Sequence, residues 1–399
     1  MSHNHQSDST GVSRTKILLL GLRRSGKTSI QQVLFNSMTP KETFYLDATM
    51  RIVKHTYDTI IPLEIWDCPG NITVETLGVP LSVFSTLVFV IDIRDLYNQP
   101  ISRLVEFIIA AYHHNPSLNL EIFVHKAEKL QEDEKIENFR QINERVMDRL
   151  MDDFIEQQLL MNFYLTSIFD HSLHQAFSKV LQRLTDSLPY LEELLNIYCA
   201  NSQASKVFLF DAPSRLYVAS DASPVDTATY NLCCDNLAMI NAFGTGLKAT
   251  GASGKSTSSM ETSSVSASTL SLGAPTTSTL VSTGATTKMS HHPHDNDAST
   301  TSISRKFRIQ TPQDLFYPSG ATSLQPSSLP HSYSSSTSNP TLILLVLLPT
   351  SVWENRRGLV ELNVIAVREG VQEIVDLERE GRGTRIMGTV LALQSNRRS

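Results

Sequence analysis

Over roughly its first 190 residues the chain alternates short apolar runs with longer segments of helical period. Lys16–Gly21 (KILLLG) is apolar without a break after its lysine, as a strand buried on both faces requires. Ile60–Asp67 (IIPLEIWD), Thr86–Asp92 (TLVFVID), Leu120–His125 (LEIFVH) and Asn162–Thr166 (NFYLT) are further strand candidates. Ser25–Asn36, Ile101–His113, Asp133–Leu160 and His171–Ser187 read as the intervening helices. Strands alternating with helices predict an α/β domain with a mainly parallel sheet, whose ligands bind at the carboxyl ends of the strands.

From Leu191 the pattern changes. Leu191–Ser202 reads as a helix, Lys206–Asp221 as two strands joined at Ala212–Ser214, and Tyr230–Ala242 as a helix. Thr341–Pro349 reads as a strand and Leu359–Leu377 as a long helix, completing a small α+β domain. That domain is cut in two. Residues 245–304 hold 28 Ser and Thr in 60 residues and no aromatic side chain. Such a stretch buries too little apolar surface to offset the entropy of ordering, and is expected to be disordered. Pro318–Thr341 is similar, and Ser304–Tyr317 between them is expected to be an ordered strand or hairpin. The expected organisation is a disordered tail at 1–14, the α/β domain at 15–188, and the α+β domain at 189–244 and 341–380. The mostly disordered insert fills 245–340, with its ordered island near 304–317, and a tail follows at 381–399.

Composition narrows the function. The 399 residues carry a formal charge of -6 and only 19% charged residues, which argues against binding nucleic acid by bulk charge. The Ser/Thr-rich insert explains the low charge content and inflates a length-based count of two to three domains. Four cysteines (Cys68, Cys199, Cys233, Cys234) fit neither a disulfide scaffold nor a zinc pattern. The N-terminus lacks the apolar core of a secretory signal, residue 2 is not glycine, and the C-terminus has no prenylation cysteine. The apolar run Leu342–Leu348 is too short to span a bilayer, so no direct membrane insertion is expected.

The chemistry sits between the first strand and the first helix. Gly21-Leu-Arg23-Arg24-Ser25-Gly26-Lys27-Thr28 fits G-x-x-x-x-G-K-[ST] in the right context, and Ser29 continues it into the helix. Backbone N–H groups of such a loop wrap phosphates, the helix N-terminus adds its dipole, and Lys27 neutralises the outer phosphates. The Thr28 hydroxyl is a Mg²⁺ ligand candidate. A looser match at Ala249–Ser256 has no strand before it and no amphipathic helix after it, and is read as chance. Asp67-Cys68-Pro69-Gly70 closes a strand about forty residues after the loop. Asp67 there supports the Mg²⁺ shell, and Gly70 offers its N–H to a γ-phosphate. Thr49, in the stretch before the next strand, is placed to present a second hydroxyl to the metal. His125-Lys126-Ala127-Glu128 follows a strand. Lys126 can lie along a purine ring, and Glu128 can accept from guanine N1–H and N2–H. Thr166, Ser167 and Ile168 follow the next strand and are base-edge candidates. His291, His292 and His294, the acidic run within Gln131–Glu137, and Cys233–Cys234 are read as a solvated tract, a solvated helix face and core thiols.

These residues carry a resemblance. GLRRSGKTS, IWDCPG, HKAE, LTSIFDHS with AFSKV, LPYLEELLNIY, FLFD and SPVD with YNLCCD resemble the Rag-family GTPases, in the RagC/RagD branch that includes the fungal Gtr-type second subunit. The resemblance covers roughly 15–244 and resumes more weakly over 341–377. It implies a Ras-like P-loop GTPase domain followed by a roadblock-type α+β domain, binding GTP or GDP with Mg²⁺. It implies an obligate heterodimer with a RagA/RagB-type GTPase through the roadblock domains. It further implies a peripheral place on the cytoplasmic face of the lysosome or vacuole, and in the cytoplasm, through a scaffold complex. There the dimer would signal amino-acid sufficiency to the target-of-rapamycin kinase complex, under activating proteins. Arg23 and Arg24 stand where Ras proteins carry glycines. Glu128 replaces the family's Asp in the base motif, and Asn71 stands where the family has Gln to orient the attacking water. Catalysis is therefore expected to rest on Lys27, Gly70 and Asn71 and to be slow. A nucleotide-stabilised subunit with little hydrolysis is the alternative.

Overall fold

The structure is a computed structural model that describes residues 14–95, 98–151, 161–250, 268–271, 281–282 and 341–396. The expected N-terminal tail, the island near 304–317, the histidines at 291–294 and most of the insert lie outside the described residues.

The described residues fall into two compact units. One is built from the chain up to Leu191 with Pro213–Val218 and Val371 onward, the other from Glu192–Ala212 and Ala219–Gly370. In the first, β1 (Thr15–Gly21), α1 (Lys27–Phe35), β2 (Val53–Asp58), β3 (Pro62–Asp67) and β4 (Thr86–Asp92) are followed by α2 (Asn98–His114) and β5 (Asn119–His125). Then come α3 (Glu132–Met151), β6 (Met161–Thr166) and α4 (Ser172–Arg183). The sheet order is β2-β3-β1-β4-β5-β6, parallel except for the antiparallel β2–β3 pair. β1 lies between β3 and β4, with Leu19 beside both Asp67 and Val88, so the strand order reverses at β1 and opens a crevice at its carboxyl end.

The apolar runs become the centre of this sheet for a plain reason. Helices cover both faces, so successive side chains of β1 and β4 are buried whichever way they point. Ile17 to Leu20 and Leu87 to Ile91 are all at most 2% exposed. Leu18, Leu20, Phe89 and Ile91 share one cluster with Ile101, Leu104 and Ile108 of α2 and Ile142 and Val146 of α3. Burying each such side chain contributes about 1.5–3 kcal/mol. β2 (VKHTYD) has no apolar run. It is a partly exposed edge strand whose pairing with β3, Val53 opposite Asp67 and Asp58 opposite Pro62, comes from the short Thr59–Ile61 turn.

The second unit contains α5 (Leu188–Ser202) and β8 (Tyr217–Ser220), each shared at its start with the first unit, together with β7 (Lys206–Asp211) and α6 (Thr227–Thr250). It also contains β9 (Ser268–Ser271), β10 (Val281–Ser282), β11 (Thr341–Leu347) and α7 (Thr350–Asn396) as far as Gly370. Its sheet runs β10-β11-β7-β8, with β9 paired antiparallel to β11. Within the insert, which is expected to be mostly disordered, β9 and β10 pair with β11 through backbone groups at these few positions. A correction concerns the C-terminus. The expected tail from 381 is helical through Asn396, because α7 contains no proline and its glycines do not stop it. Val360, Val364, Val367, Val371 and Val375 form its buried stripe at helical spacing. No helix among the described residues is long and apolar enough to cross a membrane.

Candidate functional site

The carboxyl ends of β1, β3, β5 and β6 surround a cavity of about 650 Å³ in the first unit. Its phosphate end is built by the loop after β1. Gly26 has φ 109°, and a Cβ there would meet His125 Cδ2 at 2.7 Å, so both conformation and space demand glycine. A Cβ on Gly70 would come 2.2 Å from the Arg23 backbone nitrogen, so the loop after β3 presses directly on the loop after β1. Lys27 is 6% exposed and its Nζ donates to Gly21 O at 2.9 Å and Leu22 O at 3.0 Å. Burial lowers its pKa, and the nearby Asp67 charge opposes that shift. Thr28 Oγ1 donates to Asp67 Oδ2 at 2.7 Å, Thr49 Oγ1 does so at 3.1 Å, and the two hydroxyls lie 2.8 Å apart. Asp67 is 1% exposed and its Oδ1 has no hydrogen-bond partner among the described residues. Two hydroxyls and a carboxylate with an unused buried oxygen form a hard, all-oxygen donor set that fits Mg²⁺. Arg23 and Arg24 are exposed and line the same end, as does Ser29, whereas Ser25 is buried beneath it.

The other end is assembled from separate loops. Lys126, in the left-handed region at φ 64°, sends Nζ to Arg24 O at 2.6 Å and Asp92 Oδ2 at 2.9 Å. Burial raises the Asp92 pKa, but hydrogen bonds from Arg94 and Lys126 outweigh it and hold the carboxyl at about 2. Glu128 Oε2 accepts from Ser167 Oγ at 2.7 Å, and Ser167 Oγ in turn accepts from Phe169 N at 3.0 Å. His125 Nδ1 and Thr166 Oγ1 share a 2.9 Å hydrogen bond in a fully buried setting, and burial pushes the imidazole down to about 3. His125 is therefore neutral and packs under Gly26, linking the base-side loop to the phosphate loop. Ile168 lines the cavity.

Of the expected site residues, the loop, Thr49, Gly70, Lys126, Glu128 and Ile168 gather around this one cavity, Asp67 is held behind it by Thr28 and Thr49, and Gly21, Ser25, His125, Thr166 and Ser167 form its floor and supports. Asn71 differs. It is exposed in the turn after β3 and is not among the lining residues. The structure adds side chains that spacing did not point to: Asp92 and Arg94 behind Lys126, and Phe44, Lys129 and Phe169 at the cavity mouth. Only the position of Asp92 at a strand end could have flagged one of them. Cys68, beside Asp67, is no reactive thiol, since burial pushes it up to about 12.

Comparison with known proteins agrees with this geometry. The profile of the Gtr1/RagA G protein conserved region matches residues 16–237. Ras-related GTP-binding protein C of Homo sapiens is 45% identical over 234 residues, 57% of this chain and 58% of that protein. GTP-binding protein gtr2 of Schizosaccharomyces pombe is 42% identical over 234 residues, covering 58% of this chain and 74% of its own. GTP-binding protein gtr1 of the same yeast is 27% identical over 226 residues, covering 54% and 71%. The match thus spans 58% of the length of the human relative, short of two thirds. With more than half of its length matched by the profile, and with its greater similarity to the protein C and gtr2 sequences, the chain belongs to the Gtr1/RagA family of GTP-binding proteins, in the RagC/Gtr2 branch.

Proposed function

We propose that this chain is a guanine-nucleotide switch that binds GTP or GDP with Mg²⁺ and hydrolyses GTP slowly. The observation that carries this reading is the convergence of Thr28, Thr49 and Asp67 at 2.7–3.1 Å beside buried Lys27. Thr49 comes from the segment between α1 and β2, so a ligand that holds its hydroxyl also orders that segment. Bound Mg²⁺ would neutralise charge on the β- and γ-phosphates. Lys27 would hold the outer phosphates, Gly70 would offer its N–H to the γ-phosphate, and Glu128, braced by Ser167, would accept from guanine.

In the proposed setting the chain pairs with a RagA/RagB-type GTPase through its C-terminal α+β unit, which we read as a roadblock-type domain. The heterodimer acts peripherally on the cytoplasmic face of the lysosome or vacuole, held by a scaffold complex. There it relays amino-acid sufficiency to the target-of-rapamycin kinase complex and responds to activating proteins. Sequence similarity to the protein C and gtr2 relatives supports this setting. Mass spectrometry of nucleotide and partner co-purified from the native cells tests it: GDP or GTP with a second GTPase is expected, and ATP would overturn it.

A second reading, a nucleotide-stabilised subunit with almost no hydrolysis, is favoured by Asn71, which is exposed and outside the cavity lining. Single-turnover GTP hydrolysis, with and without an activating protein, separates the two. Asn71→Gln, which restores one methylene of reach, should raise the rate if the switch reading holds.

A further inference from the structure

We infer that Ser223 is a phosphorylation site for a proline-directed protein kinase, and that phosphate there opens the turn between β8 and α6. The site lies wholly in the second unit, so it does not depend on the nucleotide reading. Of the chain's 17 prolines, three follow a hydroxyl residue, at Thr39, Ser223 and Thr311. Thr311 lies outside the described residues. Ser223 is exposed together with Ala222 and Pro224, and Asp226 to Ala228 after them are exposed too. Pro224 disfavours helical backbone at Ser223 and favours the extended form, in which a kinase cleft takes its substrate.

Beneath Ser223 lies a pair of buried charges. Lys206 and Asp221 are 5% and 6% exposed, and Lys206 Nζ is 3.1 Å from Asp221 Oδ1. Lys206 Nζ also donates to the carbonyl oxygens of Asp221 at 3.1 Å and Ser223 at 2.5 Å, and to Ser223 Oγ at 3.1 Å. The Ser223 hydroxyl in turn donates to Asp221 Oδ2. Asp221 further accepts from the backbone N–H of Val207 at 2.9 Å and of Ser223 at 3.0 Å. Burial works to raise the Asp221 pKa, but hydrogen bonds from Ser223, Val207 and Lys206 outweigh it and hold the carboxyl below its usual value. One hydroxyl of an exposed residue thus sits between a buried cation and a buried anion.

Phosphorylation upsets that balance. Ser223 Oγ attacks the terminal phosphorus of ATP, an Oγ–P bond forms, the bond to the β-phosphate oxygen breaks, and ADP leaves. The hydroxyl proton goes to the kinase's catalytic aspartate. Asp221 Oδ2 thereby loses its donor and gains a neighbour carrying about −1.5 to −2 charges at pH 7. Lys206 then faces a carboxylate and a phosphate, and one cation cannot neutralise both. Anionic charge left buried without a partner is costly. The phosphate therefore turns out to water and takes the Ser223 main chain with it. That frees the Ser223 N–H from Asp221 and the Ala222 N–H from Asn196 Oδ1, which it meets at 2.7 Å. The N-terminus of α6 does not hold the phosphate in place, because Asp226 already accepts there from Ala228 N at 3.2 Å and Thr229 N at 2.9 Å.

The test is treatment of the purified full-length protein with ATP and either a cyclin-dependent or a mitogen-activated kinase, with sites mapped by mass spectrometry. Phosphate on Ser223 is expected from at least one of them. It should disappear in Ser223→Ala and in Pro224→Ala, which keeps the hydroxyl. A synthetic peptide of residues 217–230 reports whether the kinases accept the bare sequence. Phosphate on the peptide but not on the folded protein, on neither, or only at Thr39 or Thr311, would overturn the site. In the phosphorylated protein, hydrogen exchange across residues 221–224 should run about tenfold faster, with the β1–β6 sheet unchanged. Exchange as slow as in the unmodified protein would overturn the opening of the turn. Ser223→Ala removes the hydroxyl without adding charge and should hasten exchange less than phosphate does. Equal effects would overturn the charge argument.

Discussion

The two ends of the cavity are built on opposite plans. At the phosphate end a continuous stretch, β1, loop and α1, supplies Lys27 and Thr28, and the segment before β2 and the end of β3 add Thr49 and Asp67. Lys27 and Asp67 are buried there, and Asp67 bonds the half-buried Thr28 and Thr49 hydroxyls within 3.1 Å. At the other end no contiguous stretch supplies the groups: Lys126 reaches back to Arg24 across 102 positions, and Glu128 is braced by Ser167 from the next strand's loop. Its aromatic rings stay exposed. The difference teaches that affinity and selectivity are carried separately. Under the proposed function, buried charge at one end would hold phosphate without specificity, and a braced carboxylate at the other would read the base.

Four perturbations sharpen or break this contrast. The largest effect is expected from Lys27→Ala, which removes the buried cation. GDP and GTP affinity should both fall by about a thousandfold, roughly 4 kcal/mol, in equilibrium binding. A loss no larger than that of a base-side variant would break the contrast.

Acid comes next. His125 and His174 are buried and neutral, each pushed down to about 3 chiefly by burial. An unfolded histidine has a pKa of about 6.5, so between those values the unfolded chain binds protons that the folded one does not. Stability is therefore full above about pH 6.5 and falls as pH drops, by on the order of 2 kcal/mol per histidine at pH 5. Denaturant midpoints measured from pH 8 to 5 check this, and His125→Asn should flatten part of the slope.

Ser167→Ala should cost GDP about fivefold in affinity, roughly 1 kcal/mol, because Glu128 loses its brace. The preference for GDP over IDP, which lacks the exocyclic amine, should shrink in the same competition assay. An unchanged preference would mean that Glu128 does not read the base. The smallest effect belongs to Arg94→Ala. Its 2.9 Å pair with Asp92 is half exposed and Lys126 keeps the same carboxylate, so GDP affinity should shift by less than about 0.5 kcal/mol.

The central strands, the helices between them and the phosphate loop were legible along the chain because each depends on near neighbours. Period and fixed spacing are local properties. Asp67 and Gly70 were legible for the same reason, as a strand end at a set distance from the loop. β2 was not, since an edge strand has no buried face to mark it and takes its place from its partner. The extension of α7 through Asn396 was masked by glycines, and the pairing of β9 with β11 by a composition typical of disorder. Asn71 stood where the family motif places the residue that orients water, yet it is exposed outside the cavity lining.

By itself the sequence determined a parallel α/β sheet with a G-x-x-x-x-G-K-[ST] loop between its first strand and first helix, and it placed Thr28 and Asp67 as the candidates for a divalent cation. The reason is that a strand, a tight glycine turn and a helix N-terminus form one contiguous unit whose geometry follows from spacing. Only the tertiary structure decided which side chains close the nucleoside end. Asp92 pairs with Lys126, and Phe44 approaches Phe169, because strand order and loop packing bring distant segments together, and no local pattern encodes either meeting.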